Sequence, residues 1–157
     1  MTETDTTITV TPTDRGGARY DQTDQTDQPS VGRQALLEAM TGGRPIQAEG
    51  VAPDAWLDAT VPNWRLTERG RDRVIARLAE FYAHPGQFEQ VDHWAIPGGE
   101  VVEVTLAWTE DGVPHLVHQC HRLDLDDQGR IAGDTMWCGG RWPADLMAQM
   151  EEADEHG

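Results

Sequence analysis

The residues best suited to chemistry lie in the second half of the chain, where His115, His118 and His121 recur at a spacing of three and Asp134 and Cys138 follow. On a helix, that spacing would gather three imidazoles on one face, as a zinc site requires. The valines and leucines around them alternate with polar residues, which is the period of a strand. A strand turns His118 away from the other two and separates His115 from His121 by about 20 Å, at roughly 3.3 Å per residue. No metal is therefore expected. A carboxylate beside an imidazole offers different chemistry: it fixes the tautomer, raises the basicity and leaves the outer nitrogen free to take or give a proton. His121 with Asp134 is the candidate pair, able in an apolar cavity to abstract an acidic C–H proton or to protonate an opening ring. The competing role is a satisfied buried polar pair that fixes register and does no chemistry. Asp58 is a second candidate base, with capping or pairing to an arginine as its alternative. Gln119, on the same strand as His121, is placed to hydrogen-bond a substrate oxygen.

Two turns position these groups. A turn centred on Asp111-Gly112 sets Val102 opposite His121, Val104 opposite Gln119, Leu106 opposite Val117 and Trp108 opposite His115. A second turn centred on Asp127-Gln128 sets His121 opposite Asp134, Gln119 opposite Met136 and Val117 opposite Cys138. Opposed residues share a face, and this face is the more apolar one, so it is expected to line the interior. Val104, Leu106, Trp108 and His115 are then expected to wall a ligand pocket, with Met136, Cys138 and Trp56 as further contacts. Cys138 has no base beside it and reads as a small filler, not a nucleophile.

The strands need something to wrap. Ser30 can cap a helix from about Val31 to Met40, stopped by Gly42-Gly43. Residues 44–54 read as irregular, Ala55–Thr60 as a short strand, and Gly70 as the opening of a second helix. The stripe Val74, Leu78, Phe81 and Tyr82 has helical spacing and reads as core. Pro143 can start a last helix, packed through Leu146, Met147 and Met150. Helix, short strand, helix and antiparallel meander make an α+β domain. The expected division is a flexible Thr/Asp/Gln-rich tail over 1–30, a pocket domain over 31–142, and a C-terminal helix with an acidic tail over 143–157.

The formal net charge is −16, from 12 basic and 28 acidic residues, and every basic residue is an arginine. Such a surface repels phosphate backbones and anionic lipid, so no nucleic-acid or membrane partner is expected. Two cysteines without metal-finger spacing read as reduced thiols in a cytoplasmic protein. No glycine-rich loop joins a strand to a helix, so no nucleotide cofactor is expected either.

The element order and three local strings resemble the nuclear transport factor 2-like superfamily, which includes ketosteroid isomerases, limonene epoxide hydrolases and SnoaL-type polyketide cyclases. The strings are Ala52-Pro53-Asp54-Ala55-Trp56-Leu57-Asp58, Gly70 before a helix, and Asp127-Gln128-Gly129-Arg130-Ile131. The resemblance covers roughly residues 33–142 and implies a cone: a strongly bent, mostly antiparallel sheet around helices, with an apolar pocket inside. It places His121 where ketosteroid isomerases carry a protonated acid, their general base near Ala59 beside Asp58, and their first-helix tyrosine near Ala35. The isomerase machinery is thus not reproduced. Asp134 is similar in placement to the late-strand acid–base aspartate of SnoaL-type cyclases.

Two functions follow as expectations. One is a cofactor-independent acid–base enzyme of the cyclase, isomerase, dehydratase or epoxide-hydrolase type, acting on a small apolar or aromatic molecule. The other is a non-catalytic binding or dimerisation module of the same fold. A homodimer through the open face of the sheet is expected in either case.

Overall fold

The computed structural model describes the backbone of Thr9–Pro12 and Ala18–Asp21, and residues 28–157 in full. The tail expected over 1–30 falls largely outside the described residues. Within it, β1 (Thr9–Pro12) and β2 (Ala18–Asp21) pair antiparallel as a two-stranded sheet of their own. Helix α1 (Val31–Gly42) begins where Ser30 accepts a hydrogen bond from the Arg33 N–H, and ends at Gly43 in the left-handed conformation. Its Leu36 and Met40 are fully buried. Helix α2 (Arg71–Phe81) starts after Gly70, whose φ of 90° favours glycine, and turns Val74 and Leu78 inward.

Seven strands form the main sheet: β3 (Val51–Val61), β4 (Trp64–Arg69), β5 (Gln87–Ile96), β6 (Gly99–Glu110), β7 (Val113–Leu125), β8 (Ile131–Cys138) and β9 (Trp142–Pro143). Their order is β4-β3-β8-β7-β6-β5, and β9 extends the line of β8 along β7. All pairs are antiparallel except β3 with β8. Irregularities in the β3–β8, β5–β6 and β7–β8 ladders bend the sheet, and it curls without closing. The inner face packs Val102, Val104, Leu106, Val117, Leu123 and Met136 against α1 and α2 in one core. This is the expected cone-shaped α+β fold.

The first meander hairpin has the expected register throughout, from Val102 opposite His121 to Trp108 opposite His115. Two expectations need correction, and one strand has no counterpart among them. The segment after Pro62 is a strand, β4, folded back on β3 through Asn63 at φ 62°. Most of its residues are exposed, so the apolar alternation that marks a half-buried strand is missing. Strand β3 starts earlier than expected, at Val51, because Pro53 falls at the irregularity between Val51 and Trp56, where its missing N–H is tolerated. The second hairpin slips by two residues: Leu123 opposes Asp134, His121 opposes Met136 and Gln119 opposes Cys138. Asp126 causes the slip. Its side chain accepts from the N–H groups of Gln128 and Arg130 and from Arg130 Nε, which stabilises a turn longer than two residues. A slip of two preserves the faces, so Asp134 still points inward, now diagonal to His121. Helix α3 (Ala144–Glu155) follows Pro143 but buries no residue; Leu146 and Met147 are half-buried and Met150 is exposed.

Candidate functional site

Two strands and one helix end converge at the site. His121 and Gln119 come from the inner face of β7, Asp134 from β8, and Tyr82 from the residue that ends α2. The Nδ1 of His121 lies 2.9 and 3.1 Å from the two Asp134 carboxylate oxygens. Its Nε2 lies 3.1 Å from the Tyr82 hydroxyl, which donates to Gln119 Oε1 at 2.7 Å. Gln119 Nε2 in turn donates to Cys138 Sγ at 3.6 Å. The result is one chain: Asp134, His121, Tyr82, Gln119, Cys138. His121 and Asp134 are 0% exposed, Tyr82 is 3% and Gln119 is 5%. Burial, with the Asp134 carboxylate behind it, pushes the Tyr82 hydroxyl well above the ordinary phenol value.

A cavity of about 670 Å³ opens beside this chain. Tyr82, Gln119 and Cys138 form its polar floor, and Phe81, Leu106 and Val117 are among its apolar walls. At its rim, Glu110 accepts from the Trp108 indole N–H at 3.3 Å, pairs with Arg141, and lies 3.4 Å from His84 Nε2. The indole N–H, helped by Arg141 and His84, holds the Glu110 carboxyl below its usual range despite partial desolvation.

Of the residues expected at the pocket, Gln119, Leu106, Trp108 and Cys138 border it. His121 and Asp134 meet as expected, but sealed behind Tyr82. Val104 and Met136 point the right way yet are enclosed in the core. His115 stacks on Trp108, with ring centroids 5.3 Å apart, and does not border the cavity. Trp56 and Asp58 stand on the outer face. The Trp56 ring covers Gly133, and Asp58 is held by Arg65 through two bonds of 2.8 and 2.7 Å, which lower its carboxyl. The alternation of β3 explains this, since Leu57 and Ala59 take the inward positions. His118 also faces outward, 2.7 Å from Thr105 Oγ1.

Tyr82 is the site residue that sequence reasoning missed. Its spacing extends the apolar stripe of α2, which by itself reads as core. The available signal was its hydroxyl, which must find a partner once the ring is buried.

No known protein-family profile matches the sequence, and no curated protein matches it. Solved structures do. A Catenulispora acidiphila protein of ketosteroid isomerase-like fold, in complex with trimethylamine, aligns at 18% identity and TM-score 0.55, over 71% of this chain and 88% of that one. A Burkholderia xenovorans protein of NTF-2 like type aligns at 13% identity and TM-score 0.50, over 69% and 80%. The fold is nuclear transport factor 2-like. A third structure on this fold, an LEH-like epoxide hydrolase from M. tuberculosis, aligns at 17% identity and TM-score 0.50, over 69% and 80%. Identities this low establish a nuclear transport factor 2-like fold and leave the activity open.

Proposed function

We propose that the protein is a cofactor-independent acid–base enzyme acting on a small, largely apolar molecule in this cavity. Tyr82 is the group that meets the substrate, and His121 with Asp134 is the positioning pair behind it. The observation that carries the reading is an unbroken hydrogen-bonded chain from a fully enclosed carboxylate to a hydroxyl on the wall of an apolar cavity. A tyrosine whose ionisation is discouraged serves as an acid or hydrogen-bond donor toward an oxygen that gains negative charge. The Tyr82 O–H bond breaks as a ligand O–H bond forms, and a proton from His121 Nε2 then restores the phenol while Nδ1 stays tied to Asp134. Epoxide opening, cyclisation, dehydration and enolisation all place charge on such an oxygen. The epoxide hydrolase and the trimethylamine complex on the same fold lend support to a small-molecule role.

The test is turnover of cyclohexene oxide (ring opening) and of cyclohexanone (hydrogen–deuterium exchange at the α-carbon) by the wild type and by Tyr82→Phe. The expected outcome is acceleration of at least one reaction over buffer, with about 10²-fold or more lost in the variant. Equal rates in the two proteins would sink the assignment of Tyr82.

A second reading is a binding module without turnover. It is favoured by the complete enclosure and mutual satisfaction of His121 and Asp134. Saturable binding of both compounds with no turnover of either would select it.

We also propose that a second copy of the chain covers the outer face of the sheet. By register that face carries Trp56, Trp94, Trp137 and Trp142, with Trp137 47% exposed.

A further inference from the structure

The rim of the cavity holds an arrangement that the acid–base reading does not use. The Arg141 guanidinium pairs with Glu110, and its Cζ lies 5.3 Å from the centroid of the Trp108 ring. An aromatic face and a carboxylate are the two partners that an organic ammonium seeks. Here the chain supplies the cation itself. Arg141 is poorly secured in that role. Its side chain is 57% exposed and hangs from the Gly139-Gly140 link between β8 and β9, where Gly140 has a φ of 109°. Exposed ion pairs of this kind hold weakly, so an incoming cation displaces the guanidinium at little cost.

The surroundings favour a cation as well. Of the other charged or titratable groups at the rim, Glu80 is occupied by Arg77 at 2.7 Å, and His84 faces the second oxygen of Glu110. The chain has no lysine, and its net charge of −16 draws cations toward it. Below the rim, Phe81, Leu106 and Val117 offer apolar walls to the body of a ligand.

We propose that the ligand of the cavity carries an organic cation, an amine or quaternary ammonium on an apolar body, and that its charged end takes the place Arg141 fills beside Trp108 and Glu110. This rests on the reading of the cavity as a ligand site and adds the ligand's charge. The test is titration with benzyltrimethylammonium and with its neutral isostere neopentylbenzene, followed by tryptophan fluorescence and by the NMR shift of the Trp108 indole N–H. The cation is expected to bind at least about tenfold tighter than the isostere. Glu110→Gln removes that preference. Arg141→Ala tightens the cation several-fold by removing the internal competitor, and leaves the isostere unchanged. Circular dichroism checks that both variants fold. Tighter binding of the isostere, or weaker binding of the cation to Arg141→Ala, overturns the proposal and leaves the cavity reading standing. Failure of both probes to bind takes the cavity reading down with it.

Discussion

Tyr82 has one proton and two neighbours that can share it. With the proton directed at Gln119, the contact to His121 requires Nε2 to donate. Turning the proton toward Nε2 makes that nitrogen the acceptor. The two states differ in whether Nε2 holds a proton behind the cavity wall, which is what a relay needs. The phenol also leaves a mark on stability. An unfolded tyrosine ionises near 10.0, whereas the buried Tyr82 ionises well above that. Below pH 10 both states are protonated there, and Tyr82 contributes no slope. Above pH 10 the unfolded chain releases a proton that the folded chain retains, so stability falls as pH rises. The difference in the ultraviolet phenolate band between wild type and Tyr82→Phe should stay flat through pH 10 and rise only with unfolding. A band that rises near pH 10 in the still-folded protein would show the hydroxyl to be open to solvent.

The elements work as clamps on this chain of groups. Helix α1 is fixed at its start by Ser30, whose hydroxyl accepts from the Arg33 N–H and donates to Glu100 on β6. Arg33 reaches the same carboxylate at 3.4 Å. Ser30→Ala should cost about 0.5–2 kcal/mol in urea unfolding without altering ligand affinity, because α1 borders the core and contributes nothing to the cavity lining. An unchanged midpoint would mean that the cap is replaced by water. Gly86 ties the segment after α2 to the end of α1. Its N–H donates to Met40 O, and a Cβ there would meet Leu106 at 2.6 Å, so the approach of the Tyr82 segment to β6 depends on a residue without a side chain.

For the whole molecule, the inner face of the sheet is filled by α1 and α2, while the outer face is left with tryptophans among charged residues. Among the described residues no helix is long and apolar enough to cross a membrane. A second copy meeting the outer face would cover Trp137 and Trp94, and Trp137→Asp should move the protein from dimer to monomer in sedimentation. A monomeric wild type at micromolar concentration would remove the dimer. The net charge of −16 opposes such an association, so the dimer is expected to tighten as salt screens the repulsion.

The cone enters only as what the resemblance of three local strings implies, whereas the inward faces of β6 and β7 and the meeting of His121 with Asp134 are legible in the residues alone. Those features follow from local rules: a period of two, a turn at Asp111-Gly112, a cap at Ser30 and a stop at Gly43. Strand parity survives a register slip of two, so the pair is legible even though Asp126 holds a longer turn than Asp127-Gln128 alone implies. Long-range packing is what sets Tyr82 between the pair and the cavity, ties Asp58 to Arg65 outside it, and lays Arg141 over Trp108. Each of these joins residues from elements whose relative placement no local period encodes. Packing α2 on the sheet turned a residue that extends an apolar stripe into the hydroxyl of the site.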